Sequence, residues 1–316
     1  MATQFTRIYE LQVGIPANEV VVTENVPPLA EGTTTKPAPG AGKGISITEL
    51  QIEFDVKLSS DSTANTCTIK VTNLNEENRA KLNKDKAVIL KVGYRDQGLV
   101  TLFTGTIFSF SSEQKGTDIV TTIQVGDGFT PLNEKSICDV RSGSVEDLFR
   151  FLAKKLGVPI GTLSNGSLKA GEGLSRVYDK ENPYVLSGKV KSVMDKLAKA
   201  NKLEWYIEAG YLIVTPVGGL RLEAEVQVEN GSGLIGSPSG MSQGLSDKGS
   251  EKGDKNKDGI KFETLINPAF VIGRKVRVHS KFYKGVPARV TKVTHKGSLR
   301  GKSWFSLVES EIISDE

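Results

Sequence analysis

One strand pattern occurs twice in this chain, early and again at its end. The first copy runs Ala87–Tyr94, then Leu102–Ile107, then Gly116–Asp127. The second runs Gly273–Val278, then Gly285–Val290, then Gly301–Glu309. Each copy reads as a strand, a hairpin into a second strand, and a third strand after a glycine-containing turn. A duplicated β unit on either side of a different middle segment predicts a mainly β scaffold that builds a ring or barrel. It does not predict a catalytic cleft.

The 316 residues correspond to about two or three domains. Charge is nearly balanced, with 41 basic against 37 acidic residues and a net +4, too little to argue nucleic-acid binding from charge alone. No apolar run approaches the roughly 18 residues that span a membrane. Met1–Arg7 lacks the basic-then-apolar layout of a signal peptide, so synthesis in a cytoplasm is expected. The two cysteines, Cys67 and Cys138, form no Cys-x-x-Cys pair and read as reduced structural thiols.

Residues 5–22 alternate and then become a valine run, which predicts a strand. Residues 23–44 combine Pro27, Pro28, Pro37 and Pro39 with Gly32, Gly40, Gly42 and Gly44, which predicts a long extended arm. Ile45, Ile47, Leu50, Ile52, Phe54, Val56 and Leu58 then alternate with polar residues, the pattern of one half-buried strand. Thr66–Val71 returns as a strand. Glu76–Leu82 follows as a short helix with an asparagine cap and acids in its first turn.

The order from residue 45 to 132 is distinctive. It comprises the alternating strand, Asn65-Thr-Cys-Thr-Ile-Lys-Val-Thr-Asn-Leu74, the short helix, Val92-Gly-Tyr94, Leu102-Phe-Thr-Gly-Thr-Ile107 and Gly116-Thr-Asp-Ile-Val-Thr-Thr-Ile-Gln-Val-Gly-Asp-Gly128. This resembles the first domain of bacteriophage baseplate hub proteins, which join a hexameric tail tube to a trimeric spike. The resemblance implies two tail-tube-like β-barrel or sandwich domains flanking a small helix-hairpin domain. The corresponding boundaries are 1–137, 138–215 and 216–316. It also implies a homotrimer whose six similar units match a six-fold tube. Its partners are then the tail tube protein, the central spike protein and other baseplate proteins. DNA passes through the bore without its sequence being read. The expected location is the tail baseplate of the virion, after synthesis in the host cytoplasm. A tail-tube or tail-completion protein, or the hub of a phage-like secretion machine, are the neighbouring alternatives.

In the middle segment, Ser144 and Asp147 stand at capping-box spacing. Val145, Leu148, Phe149, Leu152 and Leu156 mark one helical face, and Gly157 stops the helix. A second helix is expected over about 189–201, followed by a β-hairpin over Leu203–Val214. Leu163–Ser187 reads as a surface connection, with a ligand loop as the sharper alternative. Leu222–Val228 looks like a strand, and Gly233–Gly236 a turn. Residues 237–259 are rich in Gly, Ser, Lys and Asp, which predicts a flexible loop, and Ile260–Ile266 a strand.

No catalytic, cofactor-binding or metal-binding residue is assigned. Asp254–Gly259 matches half of an EF-hand loop, but position twelve is Leu265 instead of an acid. Gly40–Gly44 resembles a phosphate-binding loop, but Pro37 stands where its first glycine belongs and Gly44 where Ser or Thr belongs. His279 and His295 lack neighbouring ligands in sequence. A cell-wall-degrading enzyme is the reading from a different class, and no acid-pair or metal constellation supports it. Arg274, Lys275, Arg277, Lys281, Lys284, Arg289, Lys292, Lys296, Arg300 and Lys302 form a cationic run. That run is either a solvated face, a dock for an acidic partner, or a channel wall facing DNA.

Overall fold

The computed structural model describes residues 6–14, 44–60, 64–127, 135–164, 166, 168–221, 223–242 and 258–314. The arm at 23–43, the Gly40–Lys43 part of the phosphate-loop candidate, and Asp254–Lys257 of the EF-hand candidate lie outside them.

The first β module contains β1 (Arg7–Val13), β2 (Ile45–Ile47), β3 (Ile52–Ser59), β4 (Thr66–Thr72), helix α1 (Glu76–Ala80), β5 (Ala87–Tyr94), β6 (Gly98–Lys115) and β7 (Asp118–Gly126). Alternation makes these strands one-faced: in β3, Ile52, Phe54, Val56 and Leu58 are buried while Glu53 and Lys57 are exposed. Asn75 caps α1 by accepting from the Asn78 amide at 2.8 Å. The single strand expected over 45–58 is two. β2 pairs with β1 at one end of the sheet, whereas β3 pairs with β4 in its middle, so the chain turns at 48–51 between them.

The middle segment contains β8 (Ser136–Arg141), β9 (Gly143–Ser144), helix α2 (Val145–Leu156), β10 (Ile160–Leu163), β11 (Val177–Tyr178), β12 (Tyr184–Lys189), helix α3 (Val190–Ala200), β13 (Leu203–Glu208) and β14 (Tyr211–Pro216). Ser144 and Asp147 form the expected capping box, and Gly157 ends α2 in the left-handed conformation. The stretch 163–187 is more ordered than a surface connection, because β11 pairs with β9 and β12 with β8. Tyr178 and Tyr184 pack edge to face there, 4.9 Å between centroids.

The last β module contains β15 (Val226–Val228), β16 (Leu234–Ser242), β17 (Asp258–Leu265), β18 (Lys275–His279), β19 (Lys284–Ser298) and β20 (Trp304–Ile312). Of residues 233–236, expected as a turn, Gly233 is one and Leu234–Gly236 enter β16. That strand continues through Pro238 to Ser242, and β17 begins at Asp258, so strands enter the Gly/Ser-rich stretch from both sides. β16 is an edge strand, where a proline is tolerated because no ladder donor is lost.

Both β modules share one sheet with the order β16-β17-β20-β19-β3-β4-β7-β6-β5-β1-β2; β18 adds to β19, and β15 to β18. Thus the chain is mainly β with an α+β insertion. The path is open among the described residues. One apolar core lies under both β modules, and a second, around α2, α3 and the β13–β14 hairpin, belongs to the middle segment.

Candidate functional site

The β13–β14 hairpin is two-faced. Trp205, Ile207, Leu212 and Val214 fill the middle-segment core, while Tyr206 and Ile213 enter the core of the β modules. Period-two alternation places Glu204 and Glu208 on the same face as Tyr206. There, Glu204 meets Arg289 of β19 in a buried ion pair, and Arg289 Nε also donates to the Gly219 carbonyl at 2.8 Å. Glu208 pairs with Arg221 at 2.7 Å. Burial pushes both carboxyls above their usual range, against the pull of the two arginines.

The hairpin's far end is fixed to the first module. Asn65 Nδ2 donates to the Ile207 carbonyl at 2.8 Å, and the Gly210 amide donates to Asp127 Oδ1 at 2.7 Å. Asp127 is buried, and burial raises its carboxyl to about 7; the Gly210 amide opposes this and the nearby Glu208 reinforces it. One hairpin therefore staples the two β modules to each other. A cavity of about 620 Å³ sits at this junction, lined among others by Asp127, Glu208, Arg221, Phe103 and Phe270.

Asn65, Asp127, Glu204, Glu208 and Arg221 do not stand out in the sequence. The available signal is Glu204-x-Tyr206-x-Glu208, acids at alternate positions of an otherwise apolar hairpin. Six of the ten cations of the run have an acidic partner. Arg274 pairs with Glu223, Lys275 and Arg277 with Glu225, Lys292 with Glu309, and Lys296 with Asp55, beside the Arg289–Glu204 pair. His295 is buried, its Nδ1 2.8 Å from Ser306 Oγ, and burial pulls it down to about 3, so it is neutral. Among the described residues no group of His, Cys, Asp and Glu is arranged to hold a metal. Both cysteines are free, Cys67 buried and Cys138 exposed.

The duplication extends beyond the motif that announces it. Both modules run through the same ladder, β3-β4-β7-β6-β5 in the first and β16-β17-β20-β19-β18 in the last. The registers also agree. Ile107 faces Val125, Phe108 bulges, and Ser109 faces Gln124; correspondingly Val290 faces Ser310, Thr291 bulges, and Lys292 faces Glu309. Further out, Ile69 faces Ile123 as Phe262 faces Val308. The outermost strand differs, since β1 joins β5 antiparallel but β15 joins β18 parallel.

Within the chain the modules meet where the far half of β19 pairs antiparallel with β3, from Lys292↔Ser59 to Ser298↔Glu53. Asp55 and Lys296 face each other across this seam at 3.7 Å, and Phe54 lies over Gly297 and edge-on to Trp304. In the first module the equivalent half of β6, Phe110–Lys115, pairs only with β7 among the described residues and is exposed. β16, the equivalent of β3, pairs only with β17 among the described residues.

A model of the family described as Baseplate hub gp41 matches residues 40–288. No curated protein sequence matches the chain. The fold is similar to that of the 43 kDa tail protein of prophage MuSo2 from Shewanella oneidensis, with TM-score 0.62 and 9% identity over 96% of this chain and 97% of that one. It is similar to a tail protein from Neisseria meningitidis MC58, with TM-score 0.61 and 9% identity over 96% of each chain. It is also similar to a component of the type VI secretion system of E. coli, with TM-score 0.56 and 11% identity over 84% of this chain and 74% of that one. The family match covers well over half of the chain, whose two β modules repeat one ladder: the protein belongs to the Baseplate hub gp41 family.

Proposed function

We propose that this chain is the structural hub of a phage tail baseplate, three copies of which form a ring that joins the hexameric tube to a trimeric spike. The observation that carries the reading is the repetition of one strand ladder, bulge included, in two modules of a single sheet. Three such chains present six similar units to the tube while keeping three-fold symmetry for the spike. The modules correspond to 1–137 and 216–316, with 138–215 as the insertion. Binding rests on strand edges and broad surfaces, without a catalytic step. DNA passes through the bore, and the ion pairing of the C-terminal cations suits transit over retention, since fewer unpaired cations means fewer phosphate contacts. The site of action is the tail baseplate of a virion made in the host cytoplasm.

The likeness to a secretion-system component keeps one neighbouring reading in view, in which the same hub caps a phage-like injection machine. Light scattering over a range of concentrations tests the ring. A mass that settles at three chains is expected. A mass that settles at six chains, or that grows without limit, overturns the three-chain ring in favour of a tube-like role.

A further inference from the structure

Three carboxylates line the cavity at the junction of the modules, and the chain supplies a cation for two of them. Glu208 has Arg221 at 2.7 Å, and Glu10 has Lys91 at 3.2 Å. Asp127 has no cationic partner among the described residues, and its hydrogen bonds come from the backbone amides of Ala209 and Gly210. A buried carboxylate without a counter-ion is costly, so interiors pair such a group or lose it. Here it stands, nearly fully buried, on the wall of a space of about 620 Å³, the size of a small-molecule site.

The rest of the wall has the make-up of a ligand site. Phe103, Phe270 and Ile213 supply buried apolar surface. Thr104 has a buried Oγ1 without a hydrogen-bond partner among the described residues, an acceptor still open to a donor. Leu99 and Val100 of the same strand are 39% and 43% exposed, so the cavity reaches solvent along β6.

We propose that this cavity binds a small organic ammonium ion with an apolar body, its N–H groups on Asp127 and its body against Phe103 and Phe270. Charge decides the class. The wall carries three carboxylates against two cations, so an anion would meet the unpaired Asp127, whereas an ammonium ion supplies the missing charge. A neutral apolar molecule would leave the carboxylate unpaired. A bare metal ion would leave the aromatic wall unused, and the described residues assemble no set of metal ligands there.

Binding is coupled to a proton. Burial lets Asp127 keep its proton up to about 7, whereas an ammonium ion pairs with the carboxylate. Binding therefore releases the proton, and affinity rises with pH. For a group titrating near 7, the ionised fraction is about thirtyfold larger at pH 8 than at pH 5.5. Of the other titratable groups on this wall, Glu208 and Glu10 keep their own cations, and burial holds His295 neutral; the phenol of Tyr211 completes the set.

Titration calorimetry of the full chain tests this with benzylammonium, which stays charged over the range, and with benzyl alcohol as its neutral counterpart. Two buffers of different ionisation heat count the protons. Benzylammonium is expected to bind about thirtyfold more tightly at pH 8 than at pH 5.5, with close to one proton released per molecule bound at the acid end. Benzyl alcohol should show no such gain, and Asp127→Asn should lose the preference for the amine over the alcohol. Thr104→Val should weaken benzylammonium binding several-fold while leaving the unfolding midpoint near that of the wild type. No binding at pH 8, equal affinity at both pH values, no proton released, or an Asp127→Asn protein that keeps the preference overturns the proposal. Where Asp127→Asn does not fold, the wild-type pH ratio and proton count decide. All these groups belong to one chain, so the outcome is separate from that of the ring.

Discussion

Replacing Asp127 by asparagine should make the fold less sensitive to pH between about 4 and 7. The carboxyl closes β7, is 3% exposed, and accepts the Gly210 amide from the hairpin that holds the modules together. Burial raises its titration from an ordinary 3.8 to about 7. Between those values the folded chain holds a proton that the unfolded chain has lost. Stability therefore falls as pH rises through this window and levels off above 7. Three pH units correspond to a ceiling of about 4 kcal/mol. Asparagine keeps an oxygen for the Gly210 amide and never ionises. Urea midpoints of both proteins at pH 5 and pH 8 measure the effect. Burial also raises Glu204 and Glu208, so the quantity that decides is the wild-type minus variant difference, in which the contribution of Glu204 cancels to first order. About two units of this window lie above pH 5, so the variant should gain on the wild type by up to about 3 kcal/mol on going from pH 5 to 8. A difference that stays constant refutes the reading that Asp127 is buried and poised near neutrality.

Two further substitutions probe the joints. A Cβ at Gly297 would lie 2.1 Å from Phe54 Cζ, so Gly297→Val should cost about 1–3 kcal/mol in the denaturation midpoint, with part of that recovered when Phe54→Ala is added. Arg289→Met leaves the Glu204 carboxyl buried without its partner and should cost about 3–5 kcal/mol, whereas Arg289→Met combined with Glu204→Met should cost less than the single change.

Much of the fold is legible because the strands are one-faced. In β3 and β4 the alternation of residues matches the alternation of burial, and the Ser144–Asp147 box with Gly157 fixes both ends of α2. Legibility fails where neighbours decide. Apolar alternation continues through Leu50, so nothing local separates β2 from β3; what separates them is that their pairing partners lie in different parts of the sheet. β16 reads Leu-Ile-Gly-Ser-Pro-Ser-Gly-Met-Ser, which has no alternation, and it is a strand because β17 offers it a ladder. The staple is the least legible part. Asn65 reaches Ile207 and Asp127 reaches Gly210 across large sequence separations, and such polar contacts leave no periodic trace.

The staple and the edges together bear on what sets the size of the assembly. A strand-to-strand joint used head to tail specifies an axis and a register, but the number of units before closure depends on the angle each unit turns. Within this chain that angle is held at two places. One is the β19–β3 seam, a single ladder that could hinge by itself. The other is the β13–β14 hairpin, which grips the first module through Asn65 and Asp127 and the last through Arg289. Two attachments on different elements resist the bending that a single ladder permits. On this reading the insertion sets curvature, because it fixes the turn between the modules within one chain. Loosening the hairpin should then broaden the distribution of assembly sizes before it abolishes assembly, because the edges that pair remain intact while the angle that closes them is no longer defined.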